Sequence, residues 1–427
     1  MLIFIFFVLG IVLAVPMQAR AGNDRGVSAT DTKIILQTGF VETVQKEIKL
    51  SGYVDAGYGY NFVGSAGQSE INSRPIGSQA RGDFDLYALK IAMERELTSE
   101  NKAQTGFRFD WLVGEDAKYF SNWNSVGSIN TQMDSNAFYL EQAYALFRIP
   151  VGHGWDWKAG KFLSILGYEA IERPANMNIT YGLIFQNGCS LDYTGVLTLY
   201  RFNELLDAKF GVANGANSDN NTTLNNLGDG ATVLASLNVA APGGNANWCH
   251  NFTYETATAN DTAISTTASS YSVAAANQAS GASYIYNSWG NWAPEFANDR
   301  WLVAFNSLLG TYAPSGGPAA GATTWYGVGL YSKYQLNDWF YLAGRGEYFG
   351  SDNLNLGLNT PATASGNGSV SWWEYTITAG FTVIDNLLLR AEYRLDWGTN
   401  MVETGGNALG GSGGPAHYAG AEVVFSF

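Results

Sequence analysis

The chain has 427 residues, 46% hydrophobic and only 14% charged, with a formal net charge of −14. Soluble domains run to about 25% charged, while a helical membrane protein needs several apolar runs of about 20 residues. A mean hydropathy of −0.07 fits neither. The acidity removes the basic footprint that nucleic-acid binding requires. The 24 Tyr, 23 Phe and 13 Trp argue against a disordered acidic chain.

Residues 1–21 read MLIFIFFVLGIVLAVPMQARA, an apolar run followed by Pro16 and the small-x-small pair Ala19 and Ala21. That pattern predicts a signal peptide over 1–21 and export to an oxidising compartment. Residues 22–46 are polar and mixed, and read as a short periplasmic lead-in to a barrel over 47–427.

From Ile48 onward the dominant period is two, the period at which strand side chains change face. In 48–62, Ile48, Leu50, Val54, Ala56, Tyr58, Tyr60 and Phe62 share one face. Lys49, Ser51, Asp55, Gly57, Gly59 and Asn61 share the other, with Tyr53 the exception. In 103–113, Phe107, Phe109, Trp111 and Val113 oppose Gln104, Gly106, Arg108 and Asp110. In 387–397, Leu387, Leu389, Ala391, Tyr393, Leu395 and Trp397 oppose Arg390, Glu392, Arg394 and Asp396. Continuing in this way predicts strands over 48–62, 82–97, 102–113, 137–149, 155–163, 189–201, 204–214, 230–240, 246–256, 282–293, 299–312, 324–335, 339–349, 370–384, 387–397 and 415–427.

Sixteen is even, and the links alternate between tight ones, such as Asp385-Asn386, and long ones, such as 164–188. That is the rhythm of outer-membrane barrels, with short periplasmic turns and long outer loops. Trp111, Trp155, Trp157, Trp325, Trp339, Trp373 and Trp397 fall near strand ends, where aromatic girdles form. The last strand places His417, Ala419, Ala421, Val423, Phe425 and Phe427 on one face, and pairing it with the first strand removes the open edge that lipid cannot satisfy. The expected fold is therefore all-β: a transmembrane, antiparallel, up-and-down barrel of sixteen strands in the bacterial outer membrane. A terminal aromatic on such a strand is the kind of signal the barrel-assembly machinery reads, so Phe427 is the expected point of contact with it.

Three stretches carry a family resemblance: LSGYVDAGYGYNF at 50–62, EQAYALFRIPVGHGWDWKAGKFLSILGYEAIERPANMNITY at 141–181, and AEVVFSF at 421–427. In them the chain resembles the second "putative beta-barrel porin" family over most of its mature length. The resemblance implies a porin-like channel without naming a solute. General porins of this strand number fold the third loop into the pore, and this chain is similar to them in having a long segment at 164–188.

On that reading Glu169 and Glu172 place carboxylates in the lumen, tempered by Arg173. Parity puts Arg108, Lys158, Arg345, Arg390 and Arg394 on the inner wall, with Lys90 less clearly placed because its strand mixes parity. Asp55, Asp110, Glu347, Glu374, Glu392 and Glu422 share that wall. Such charges either pair across strands or set a transverse field for ions.

The expected partners are outer-membrane lipid, small hydrophilic solutes or ions, and two further copies in a homo-trimer. The rival readings are a non-channel surface barrel, adhesive or structural, and an outer-membrane hydrolase. A hydrolase needs a base within reach of a nucleophile, and His153, His250 and His417 sit in a turn or on strands with no obvious Ser or Asp set. No catalytic residues, cofactor or resident metal are expected. Asp219 and Asp229 in the polar stretch 217–230 suggest a solvated loop more than a calcium site. Cys189 and Cys249 fall on non-adjacent strands, too far apart for a disulfide.

Overall fold

A computed structural model describes residues 41–42, 48–62, 82–124, 138–214, 231–257, 281–298, 300–314, 323–352, 369–399 and 415–427. The expected signal peptide, most of the lead-in and the 217–230 stretch lie outside them. Val41–Glu42 forms a two-residue antiparallel ladder with Leu50 and Lys49.

Sixteen strands form the barrel: β1 (Lys49–Asn61), β2 (Asp83–Arg95), β3 (Gln104–Val113), β4 (Phe138–Ile149), β5 (Trp155–Leu163), β6 (Asp192–Arg201), β7 (Leu206–Ala213) and β8 (Thr232–Ala240). The second half comprises β9 (Ala246–Ala257), β10 (Gly281–Trp292), β11 (Trp301–Pro314), β12 (Thr323–Asn337), β13 (Phe340–Ser351), β14 (Val370–Ile384), β15 (Leu387–Gly398) and β16 (Ala416–Ser426). Each pairs antiparallel with its sequence neighbours. β16 returns to β1 in the register Tyr418↔Asn61 to Ser426↔Tyr53, which closes the sheet. Phe427 extends that ladder by exchanging both backbone bonds with Gly52, each 2.9 Å. Every predicted strand is present, with ends shifted by a few residues at most.

Alternation sorts the residues as expected for a barrel with lipid outside. Phe84 is 74% exposed and Leu330 66% exposed on the outer face, far more apolar surface than a soluble monomer shows. Outward aromatics ring both ends. Trp111 stacks on Phe138 and Trp373 on Trp397 at the long-loop end, while Phe147 stacks on Trp157 and Trp339 on Phe381 at the short-turn end. Trp325 departs from the girdle expectation. Its parity points inward, it is buried, and its indole N–H donates to the Gly188 carbonyl at 3.4 Å.

Two bulges explain the mixed parity near Lys90. Asp55 pairs with Ala88 and Ala56 with Leu86, leaving Tyr87 as an extra residue in β2. Asp110 pairs with Gln142 and Trp111 with Leu140, leaving Glu141 extra in β4. A bulge shifts the phase of alternation, so Tyr87 and Ala88 are both buried, as are Glu141 and Gln142.

The second long connection also holds structure that periodicity did not predict. Helix α1 (Glu115–Asn124) follows β3, with Asp116, Ala117 and Phe120 buried. Phe120 packs edge-on to Tyr181, at 5.7 Å between ring centroids.

Candidate functional site: the inward loop and the wall that grips it

The connection between β5 and β6, residues 164–191, turns into the barrel. It includes a 3-10 turn (Arg173–Ala175) and a short helix α2 (Leu183–Gly188). The loop is richer in apolar side chains than a solvated loop needs. Leu166, Ile171, Ile179, Leu183 and Ile184 are each at most 3% exposed. Two glycines let backbone and wall meet. A Cβ on Gly327 would lie 2.7 Å from Ile184 Cγ1, and one on Gly182 would lie 2.5 Å from the Glu347 carboxylate. With no side chain at Gly182, Glu347 reaches the loop and accepts the Ile184 N–H at 2.9 Å.

The charged wall holds the loop chiefly by its main chain. Glu392 accepts the N–H groups of Ile179 at 2.5 Å and Thr180 at 2.9 Å. Arg345 donates to the Thr180 carbonyl at 2.6 Å, Arg394 to Tyr181 at 2.6 Å, and Arg390 to Asn176 at 2.7 Å and Arg173 at 3.0 Å. Each of these arginines also holds a wall carboxylate: Glu374 for Arg345, Asp396 for Arg394, and Glu422 for Arg390. Guanidinium, with five fixed N–H donors, suits a group that must bridge a carboxylate and a carbonyl.

Loop side chains add to the grip. Glu169 receives Arg345 at 2.5 Å and the Gly182 N–H at 2.7 Å. Arg173 pairs with Asp116 of α1 at 2.5 Å and lies over the rings of Tyr87 and Tyr181, 4.5 and 5.1 Å from their centroids. Burial pushes the carboxyls of Glu169 and Asp116 up, opposed by the neighbouring Arg345 and Arg173. Glu172 meets Lys90 at 2.6 Å, and the same ammonium lies 3.1 Å from Asp110 and 3.0 Å from Glu141.

All nine candidate residues therefore lie in or around the lumen. Lys90, Glu169, Arg173, Arg345, Arg390 and Arg394 are buried in contacts between loop and wall. Glu172, Arg108 and Lys158 keep partial exposure. Arg108 bonds Asp110 and Glu94 at 2.9 and 3.0 Å, and Lys158 lies 4.2 Å from the Tyr144 ring centroid. Asp116 and the orienting role of Glu392 were not anticipated. The acidic opening of α1, Glu115-Asp116 after Gly114, is the local signal for the first. Nothing local signals the second.

The opposite sector, β8 to β11, is lined by neutral amides. Asn251 donates to Asn287 at 3.1 Å, Asn287 donates to Asn306 at 2.8 Å, and Asn287 accepts the Gly167 N–H at 2.9 Å. His250 and His417 face outward, each beside a tyrosine hydroxyl at 2.7 and 2.6 Å, and His153 is exposed in its turn. Cys189 and Cys249 are buried and not in a disulfide.

The model of the family described as "Putative beta-barrel porin-2, OmpL-like" matches residues 47–427. The chain belongs to that family. This porin-family barrel is an outer-membrane protein, and its fold recurs in solved structures of very different sequence. It is similar to an anion-selective porin from Comamonas acidovorans, with 9% identity, a TM-score of 0.57, and coverage of 89% of this chain and 99% of the other. It is also similar to outer-membrane-expressed OmpT of Vibrio cholerae, with 10% identity, a TM-score of 0.55 and coverage of 91% and 100%. OprB of Pseudomonas putida gives 11% identity, a TM-score of 0.54 and coverage of 89% and 94%. No curated protein matches this chain by sequence.

Proposed function

We propose that the protein forms a water-filled channel for passive diffusion of small hydrophilic solutes or ions, with cations preferred. The observation that carries this reading is the inward loop inside a closed barrel whose buried charge is one-sided. Among the described residues, twelve Asp and Glu side chains are buried against six Lys and Arg. Fixed charge around a narrow passage favours the opposite ion. The porin from Comamonas is described as anion-selective; the acidic interior here argues for the reverse preference.

In this reading Glu169, Arg173, Lys90, Arg345, Arg390 and Arg394 fix the constriction, while Glu172, Arg108 and Lys158 line the approach to it. Residues 1–21 are removed on export, 22–46 stay in the periplasm, and β16 ending on Phe427 is read by the assembly machinery. The barrel assembles as a homo-trimer, acts as a conduit and catalyses no reaction. Planar-bilayer recording of the purified protein tests both parts. Stepwise conductance with a cation-sign reversal potential in a KCl gradient is expected. Anion-sign potentials sink the preference, and silent bilayers sink the channel in favour of an adhesive or structural barrel.

A further inference from the structure

Nearly every buried carboxylate of the interior has a donor. Glu374 and Asp396 take arginines, Glu347 and Glu392 take loop N–H groups, and Asp110 takes Arg108, Lys90 and Gln142. Asp55 is different. It is fully buried on the inner face of β1, and no hydrogen-bond donor reaches either of its oxygens. Its closest cation is Arg173, whose Nε stays 3.9 Å away and whose guanidinium is committed to Asp116 and the Ile179 carbonyl.

One diagonal step across the closing seam lies Glu422, since Asp55 stands opposite Val424 and Glu422 opposite Gly57. Arg390 bonds one Glu422 oxygen, and the other, Oε2, is buried with no partner. Tyr53, the preceding inner residue of β1, adds a buried hydroxyl that also lacks a partner. Three carboxylate oxygens without donors thus face the interior at the β16–β1 junction.

An uncompensated carboxylate in such a place is costly, and in practice it is paired, neutralised or bound to a metal. The node around Lys90 shows how this interior meets the same demand elsewhere, because there three carboxylates gather around a built-in ammonium. At Asp55 the nearest built-in cation, Arg173, stays 3.9 Å away and is already engaged by Asp116.

The chemistry these oxygens offer is narrow. The donors are all oxygen, the set that hard cations prefer. Asp55, Glu422 and Asp116 stand against Arg173 and Arg390, so one positive charge balances the group and two overshoot it. Asp55 and Arg173 are 0% exposed and Glu422 is 4% exposed, so an ion held there would be stripped of most of its water, which suits a small metal cation better than an organic ammonium. We propose that Asp55 and Glu422 hold a small monovalent metal cation, of the sodium or potassium class, at the seam where β16 closes on β1. This goes beyond the channel reading, since a barrel that conducts nothing would still bind the ion.

The test is heat unfolding of the full detergent-purified protein in NaCl, KCl and N-methyl-D-glucamine chloride at equal ionic strength. A ligand bound only by the folded state raises the midpoint with concentration according to its affinity. The expected result is an upward shift in NaCl or KCl that saturates and is missing in N-methyl-D-glucamine. Asp55→Asn should abolish it, while Glu96→Gln, at an exposed ion pair, should keep it. Equal midpoints in all three salts overturn the proposal, as does a response retained by Asp55→Asn. A saturable response to CaCl2 but not to NaCl or KCl overturns the monovalent assignment. Should Asp55→Asn fail to fold, crystals of the unaltered protein grown in RbCl decide the matter. An anomalous peak between Asp55 and Glu422 supports the site, and no peak there overturns it.

Discussion

The two halves of the lumen solve one problem with different chemistry. From β12 through the seam to β4 the inner wall is charged, and its arginines and glutamates reach the main chain of the inward loop. From β8 to β11 the wall is a ladder of asparagines that bond mainly to one another and touch the loop at Gly167. The charged half therefore positions the loop, and the amide half supplies a neutral polar surface facing it. Charge can be buried on the first side because the loop covers it with carbonyls and N–H groups, so the loop and its wall form one polar network rather than two surfaces with a gap between them.

The largest expected effect comes from breaking that network at Arg345, which serves Glu169, Glu374 and the Thr180 carbonyl together. Arg345→Ala should cost about 3–5 kcal/mol, because it strands buried carboxylates, and should widen the conducting step as the loop loosens. Denaturant unfolding and single-channel recording read the two consequences; an unchanged loop and conductance would refute the grip. On the amide side, Asn287→Ala leaves the Gly167 N–H without its acceptor and should cost about 1–3 kcal/mol. If it costs as much as Arg345→Ala, the contrast between the halves is wrong.

Smaller again is Trp373→Ala on the outer face. It removes a stacked ring contact with Trp397 worth roughly 0.5–1.5 kcal/mol and should leave conductance alone, which separates the lipid side from the lumen. Least in stability, though visible in selectivity, is Glu172→Gln at a half-buried position. The reversal potential should move toward neutrality, and a move toward stronger cation preference would count against an acidic passage.

Strand number, order and facing were legible because a period of two survives any change of residue within a class. Ile48 to Phe62 already sorts lipid side from lumen side, and Tyr53, the misfit in that run, is inward and buried. Where alternation slipped, at Lys90, the cause was a bulge, and a bulge adds one residue without a compositional mark. Trp325 was misplaced for a related reason. Position near a strand end says girdle, whereas the face on which a residue falls decides whether it meets lipid or α2. The long link at 164–188 and its resemblance to porin third loops were visible in the sequence. Its pairings were not, because Glu392 and Thr180 are 212 residues apart in the chain and meet only after closure.

The grip on main-chain atoms has one more consequence. Arg390, Arg394, Glu392 and Glu347 recognise the course of the loop backbone, so what they specify is a path rather than a spelling. A binding mode indifferent to side-chain identity lets the threshold of the pore be rewritten residue by residue while its scaffold stays in place. A lineage, or an engineer, can thus retune what passes without first having to reinvent how the threshold is held.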